Sequence, residues 1–197
     1  MATFVDKGIT LRKIHLGEGD LLLDILTSKR GRITALARGA LKLTSRKRGN
    51  IEVGAITHFR FEEGKSKYVV VEAEMEDGLL FLRGIQQGLQ FIWDICNISF
   101  HLLKSNEEFG ILEYTLRSTN TLVSFAEKKK GVNYIKFLKL AKTWFLLNVL
   151  VSNGFIQENK EMSKIIKDFK NGILILKDEN VYRKVNNLTG GVMHSIM

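Results

Sequence analysis

Residues Leu21–Arg38 read LLLDILTSKRGRITALAR, and the pattern of this stretch is typical of a β-hairpin. Its first part is a dense apolar run, short enough for a buried strand. After the turn Lys29–Gly31 the chain alternates between residues of opposite faces, as a strand does. One face carries Ile33, Ala35 and Ala37, and the other carries Thr34, Leu36 and Arg38. The pattern predicts two strands joined by a tight turn.

Three further segments, before and after this stretch in the chain, also have strand character. They are Gly8–His15, Ile51–Phe61 and Lys67–Glu74. The connections carry turn residues, Gly17-Glu18-Gly19-Asp20 after the first strand and Glu62-Glu63-Gly64 between the last two. Five short strands with glycine-rich turns predict a small sandwich or barrel over residues 1–78.

From Leu79 the apolar residues recur at three- and four-residue steps, which indicates helices. The expected helices are Gly84–Leu103, a second from Asn106 to Lys130, and Val132–Asn153. Asn106 is the expected capping residue of the second helix, and Gly131 and Gly154 end the second and third. The remainder shows only a short helical stretch, Glu161–Phe169, and a strand-like run, Ile173–Leu176. Strands followed by helices predict an α+β chain with a β domain, 1–78, and a helical domain, 79–197.

Composition excludes several classes of protein. The 197 residues contain no proline and a single cysteine, so a disulfide framework and a multi-cysteine zinc site are excluded. The first residues lack the apolar segment of a signal peptide, and no apolar run approaches the roughly 20 residues of a membrane span. We therefore expect a cytoplasmic protein with no membrane partner.

The charge pattern is the first functional indication. The net charge is +9, and residues 29–48, the basic block, contain eight basic residues and no acidic one. Such a block is typical of proteins that bind a polyanion, although a solvated loop can have the same composition.

Motifs for catalysis are weak. Gly64-Lys65-Ser66 resembles the end of a phosphate loop, but Phe59 stands where the first glycine is required. Cys96 has the spacing of a core residue, and the four histidines are far apart in sequence. The alternating Glu72, Glu74 and Glu76 leave a metal-dependent nuclease as one alternative to a solvated strand face. We expect no enzyme activity and no cofactor.

The N-terminal half also carries an ordered series of short motifs. In chain order they are Gly8–Arg12 (GITLR), Gly17–Leu23 (GEGDLLL), Leu26-Thr27, Gly31-Arg32, Ala35–Ala40 (ALARGA), Ser45-Arg46 and Arg48-Gly49. The series resembles the RecO family of bacterial DNA repair and recombination mediators. More loosely, Phe145–Phe155 (FLLNVLVSNGF) is similar to that family's long helix and its end.

The resemblance implies an OB-fold barrel followed by a helical domain. It implies binding of single- and double-stranded DNA, annealing of complementary strands, and loading of RecA together with RecR and the single-strand binding protein. A nucleoid-associated location follows from such a role. Many members hold zinc with four cysteines in the C-terminal part, but here His194 and Met197 stand where cysteines would be. We interpret the chain, which ends at Met197, as a short member without zinc.

The residues expected to contact DNA follow from the basic block and from the nearby strands. Those in the block are Arg30, Arg32, Arg38, Lys42, Arg46, Lys47 and Arg48. Arg12, Lys13, Lys65 and Lys67 form a second group, and Phe4, Phe59, Phe61 and Tyr68 are candidates for stacking on bases. Gly31, Gly39 and Gly49 are expected to let a phosphate chain approach the backbone.

A partner surface is expected on the third helix. Lys136, Lys139 and Lys142 share one helical side near apolar residues, and the resemblance implies that they accept the acidic C-terminal tail of the single-strand binding protein. An alternative function is a protein adaptor, with an OB fold and helices that bind only protein partners.

Overall fold

The computed structural model describes residues 2–65, 67–128, 134–155 and the single residues 157, 160, 163 and 167. The chain divides into two compact units, Met1–Asn120 and Thr121–Met197. The first unit thus groups the first helices with the barrel. The division into a β domain and a helical domain after residue 78 stays a prediction.

The first unit contains a closed five-stranded barrel. Its strands are β1 (Thr3–Leu16), β2 (Asp20–Thr27), β3 (Gly31–Ala37), β4 (Ile56–Glu63) and β5 (Tyr68–Asp77). The strands neighbour one another in the order β1-β2-β3-β5-β4, and only β3 and β5 run parallel, with Ala35 opposite Tyr68. This arrangement is an OB fold, so the predicted fold is confirmed.

The barrel interior is filled by the alternate residues of each strand. Ile33, Ala35 and Ala37 are buried, as the alternation in β3 predicts. Phe59 and Phe61 of β4 are fully buried and stack with their ring centroids 5.3 Å apart. The small side chains of β3 leave the space that these large rings occupy, which is how a narrow barrel reaches close packing.

The starts of two strands differ most from the sequence prediction. β1 begins at Thr3 because residues 3–9 pair with β4, from Thr3 opposite Glu62 to Ile9 opposite Ile56. β4 begins only at Ile56, since the preceding residues form a turn in which Gly54 has a φ of 79°. The Gly54 N–H donates to the Thr10 carbonyl at 2.8 Å, which ties this turn to β1.

The helices follow the barrel. They are α1 (Leu80–Arg83), α2 (Gln86–Leu102), α3 (Phe109–Lys128) and α4 (Tyr134–Ser152). The capping residue before α3 is Ser105 and not Asn106, because Ser105 and Glu108 form a capping box around a 3-10 turn, Asn106–Glu108. The short α1 was not predicted. The expected helix Glu161–Phe169 is described only at Ser163 and Lys167, and the expected strand Ile173–Leu176 lies outside the described residues.

Helix α2 packs against β1, and Cys96 of α2 lies at this contact. Thr10 is fully buried, and the Cys96 thiol of α2 lies 3.9 Å from the Thr10 carbonyl oxygen. Burial raises the pKa of the Cys96 thiol to about 12, as expected for a core cysteine. Among the described residues, no helix is both long and apolar enough to cross a membrane.

Candidate nucleic-acid interface

The segment that leaves β3, residues 38–50, carries five basic residues and no acidic one, and we call it the basic loop. Its start is tied to the turn between β1 and β2. The Gly39 N–H donates to Asp20 Oδ1 at 2.7 Å, and the Leu41 N–H donates to the Gly19 carbonyl at 3.0 Å. Ala40 lies in the barrel core, so packing and hydrogen bonds hold the first residues of the loop against the barrel.

The far end of the basic loop is held by Asn50. Its side chain accepts from the Met75 N–H at 3.4 Å and donates to the Arg46 carbonyl at 2.9 Å. The Asn50 carbonyl accepts from the Thr57 hydroxyl at 2.8 Å, and the next residue, Ile51, enters the core. Both ends of the loop are therefore attached to the barrel by apolar packing and hydrogen bonds.

Four cations of the basic loop project into solvent. Arg38, Lys42, Arg46 and Arg48 are exposed, and their side chains form no ion pair or hydrogen bond with the part of the chain that the structure describes. Lys47 differs, since its ammonium donates to the Val70 carbonyl at 3.2 Å. Partial burial lowers the pKa of Lys47, and the nearby Asp20 charge opposes that shift. The loop thus presents an unneutralised cluster of charge.

Other predicted DNA contacts are engaged with the protein. The Arg12 guanidinium lies 4.1 Å from the ring centroid of Phe100 and donates to Asp24 at 3.0 Å. Arg32 lies 5.0 Å from the same ring and donates to the Phe100 carbonyl. Lys13 pairs with Glu52 at 2.7 Å. Sequence reasoning missed these partners because folding, and not proximity in the sequence, brings Asp24, Glu52 and Phe100 to these cations.

A second exposed basic region lies at the β2–β3 and β4–β5 turns. Arg30 stacks over Phe4, 3.8 Å from the ring centroid, and lies 3.6 Å from Glu63 of β4. Lys65 and Lys67 are exposed beside the β4–β5 turn. Acidic Glu63 lowers the net charge here, so this region is a weaker anion site than the basic loop. Buried Phe59 and Phe61 cannot stack on bases, while Phe4 and Tyr68 are half-buried.

Gly31 has a different role from the one expected. Its φ is 68°, and a Cβ at this position would overlap the carbonyl oxygen of Lys104. That carbonyl accepts from the Arg32 N–H at 3.0 Å. The absent side chain therefore makes room for the protein's own backbone and not for a phosphate chain.

The acidic side chains considered for a nuclease lie exposed on β5. Glu72 pairs with Arg60 at 3.0 Å, and Glu76 pairs with His58 at 3.0 Å and with Arg117. Hydrogen bonding and charge from Arg117 lower the pKa of Glu76 although desolvation acts in the opposite direction. Within the described ranges, no three His, Cys, Asp or Glu side chains are grouped as metal ligands.

The lysines of the expected partner surface lie on α4 in the second unit. Lys139 is exposed and Lys142 is half-buried, while the Lys136 side chain is outside the described set. Leu138 is buried and Phe137 is half-buried beside them. His194 and Met197, which stand in place of zinc-binding cysteines, also lie outside the described residues. One histidine and one methionine do not fit a closed tetrahedral zinc site.

Comparison with known proteins identifies the barrel. Residues 1–79 match the family model described as the recombination protein O N terminal. Residues 1–79 are thus similar to the N-terminal domain of RecO. The resemblance of the sequence to RecO is thereby confirmed, and the match covers the barrel together with the whole basic loop.

Curated RecO proteins extend the similarity beyond the barrel. The DNA repair protein RecO of Gloeobacter violaceus is 39% identical over 72 residues, 36% of this chain and 28% of that protein. RecO of Dehalococcoides mccartyi is 26% identical over 164 residues, 83% of this chain and 61% of the relative. RecO of Desulforudis audaxviator is 28% identical over 151 residues, 74% and 58% of the two chains. The matches thus span at most 61% of these relatives' lengths.

Proposed function

We propose that this chain is a non-catalytic DNA repair and recombination mediator that binds single- and double-stranded DNA through the basic loop. The observation that carries the proposal is the group Arg38, Lys42, Arg46 and Arg48, exposed on a RecO-type barrel without an acidic neighbour in the loop. Phosphate contact dominates the affinity of proteins that bind DNA without reading its sequence. A loop whose ends are fixed and whose cations are unpaired suits that task.

The predicted DNA-binding residues differ in whether their side chains already have protein partners. The four exposed cations of the basic loop are the first choice, and Lys65 and Lys67 are the second. Arg12, Arg32 and Lys13 already have protein partners, and moving them to a phosphate would break those interactions. We therefore place the phosphate path along the basic loop.

The test replaces Arg38, Arg46 and Arg48 together by alanine. We expect weaker binding of both single- and double-stranded oligonucleotides. The slope of log affinity against log salt should become shallower by roughly 0.7–0.9 for each phosphate that is no longer neutralised. Fluorescence anisotropy across a salt series measures both quantities, and circular dichroism checks that the variant is folded.

The control removes two exposed positive charges outside the basic loop, by Arg60→Ala and Lys104→Ala. This double variant should keep the wild-type salt slope. If the triple variant is folded and binds with wild-type affinity and slope, the basic loop is only a solvated surface. The adaptor function, in which the chain binds only protein partners and no DNA, would then be favoured.

We further propose that the chain anneals complementary strands and, with RecR and the single-strand binding protein, helps to load RecA on gaps. These roles rest on the relationship to RecO, and we propose a location at the bacterial nucleoid on the same ground. For the single-strand binding protein, the proposed contact is its acidic C-terminal tail on α4, near Lys136, Lys139 and Lys142. The charges are complementary, and Phe137 offers an adjacent half-buried ring.

A titration with a synthetic tail peptide tests the partner proposal. Lys139→Glu should weaken peptide binding several-fold, because it places an acid against an acidic peptide. Lys160→Glu, a matched change at an exposed position outside α4, should not. Absence of any binding signal with the wild-type chain would rule out this surface. Co-elution of purified RecR with the chain tests the second partner separately.

A further inference from the structure

The tip of the basic loop carries an apolar side chain that nothing in the fold requires. Leu43 is 91% exposed, the highest value among the large apolar side chains that the structure describes. It lies between Lys42 and Thr44, which are also exposed. A single surface leucine is common in proteins and needs no explanation by itself. Its position within a cluster of unpaired cations is the unusual feature.

The backbone holds Leu43 away from the barrel. Successive turn hydrogen bonds run from the Lys42 N–H to the Gly39 carbonyl at 3.2 Å and from the Ser45 N–H to the Lys42 carbonyl at 3.0 Å. The neighbouring apolar residues Ala40 and Leu41 already pack on the core. Leu43 is therefore presented outward by an ordered turn, which lowers the entropy cost of using it in binding.

We propose that Leu43 contacts the faces of nucleobases and inserts at an unstacked step, while Lys42, Arg46 and Arg48 hold the adjacent phosphates. The inference rests on the proposed DNA binding and assigns the base-contacting residue of the same loop. Aliphatic side chains insert between base steps in other DNA-binding proteins, and the contact does not depend on sequence because every base has an apolar face.

The charge of the loop selects the occupant. A leucine among cations is complementary to a polyanion that has apolar groups next to its charges. Each nucleotide of a DNA strand has a charged phosphate and a base with an apolar face. An anionic membrane surface also attracts cations beside an apolar residue. The basic loop has only one such apolar tip, which gives little buried area for a membrane, so we commit to nucleic acid.

The experiment compares the full chain with Leu43→Ala on two single-stranded oligonucleotides of equal length, one normal and one made of abasic nucleotides. On the normal strand, the variant should bind about fivefold more weakly, because truncation removes roughly 1 kcal/mol of apolar interaction. Its salt slope should equal that of the wild type, since every phosphate-binding cation is still present. On the abasic strand, the two proteins should bind equally. Thr44→Ala is the matched control and should bind like the wild type.

Each other outcome overturns the inference. Leu43→Ala with wild-type affinity on the normal strand, or with an equal loss on the abasic strand, shows that the side chain does not contact bases. If Leu43→Ala loses binding to vesicles of anionic phospholipid while its DNA binding is intact, Leu43 contacts a membrane and not DNA. A wild-type chain that binds neither strand ends the proposed function itself. If the arginine triple variant binds DNA more weakly and Leu43→Ala does not, the role of Leu43 is wrong while the proposed DNA binding stands.

Discussion

The guanidinium of Arg12 on β1 lies 4.1 Å from the ring centroid of Phe100 on α2. Its Nε donates to the buried Asp24 of β2 at 3.0 Å, and the other Asp24 oxygen accepts from Thr34 of β3 at 2.8 Å. One cation thus connects three strands with the helix that covers them. Arg12, a basic residue near the basic block in sequence, therefore has a structural role within the protein.

We predict that Arg12→Ala lowers the free energy of unfolding by about 1–3 kcal/mol. The change removes a cation–π interaction and a charge-assisted hydrogen bond, and among the described residues it leaves the buried Asp24 carboxylate with Thr34 as its remaining side-chain partner. Urea denaturation followed by circular dichroism measures the loss. Arg38→Ala, at an exposed arginine, is the control and should change stability by no more than about 0.5 kcal/mol. Equal stabilities of the two variants would contradict the structural role of Arg12.

A double-mutant cycle isolates the interaction with the ring. Arg12→Ala and Phe100→Ala, separately and together, should give a coupling free energy of roughly 0.5–1 kcal/mol. Thermal or urea unfolding of the four proteins provides the values. Strict additivity would show that the ring and the guanidinium contribute independently.

We predict that Gly31→Ala costs at least about 2 kcal/mol of stability. The positive φ alone costs a side-chain-bearing residue roughly 1–2 kcal/mol, and the overlap with the Lys104 carbonyl adds to it. Gly49→Ala is the matched comparison, because a Cβ there meets no atom within 4 Å and the φ is not positive. Chemical denaturation of both variants measures the difference. The explanation is wrong if Gly49→Ala proves as costly as Gly31→Ala.

We predict that the Cys96 thiol makes stability depend on alkaline pH. In the folded chain its pKa is about 12, and in the unfolded chain it has the ordinary value near 9. The unfolded state therefore loses its proton first, so the thiol's contribution is complete below pH 9 and is lost as pH rises toward 12. Over that range, the slope from this group approaches about 1.4 kcal/mol per pH unit.

The measurement compares the wild type with Cys96→Ala in urea titrations between pH 8 and about 10.5, within the range where the unfolded thiol ionises. The wild type should lose stability faster with pH than the variant, whatever the cost of the substitution itself. Thiol-specific labelling gives an independent check, since native Cys96 should react only after unfolding. Rapid labelling of the folded protein near neutral pH would contradict the buried position.

We predict that the purified protein folds without structural zinc. The chain has a single cysteine, which is buried, and the histidine and methionine near its end do not make a closed zinc site. A chelator should leave the melting temperature unchanged, because metal release destabilises only a fold that binds the metal. Elemental analysis that finds one zinc per chain would overturn this expectation.

The succession of five strands and then helices could be predicted from the sequence, because alternation and helical spacing are local properties. The faces of β3 are an example, with Ile33, Ala35 and Ala37 inside the barrel as their spacing requires. The motif series within residues 8–49 likewise identified the RecO relationship that the family model confirms. Alternation places Ile9 and Thr10 on opposite faces of β1, yet both are fully buried, because the period of a single strand does not show whether another element covers its outer face.

Which cations are available to a ligand could be seen only in the folded chain. The sequence made Arg12, Arg32 and Arg38 candidates for DNA contact alike, yet two of them lie against Phe100, a residue far along the chain, and the third is exposed. The same holds for Gly31, whose role depends on the distant Lys104 carbonyl. Charge is a property of one residue, whereas its neutralisation depends on groups that folding brings together from remote parts of the chain. The basic loop could therefore be recognised from its composition, but its unpaired cations and exposed Leu43 could not.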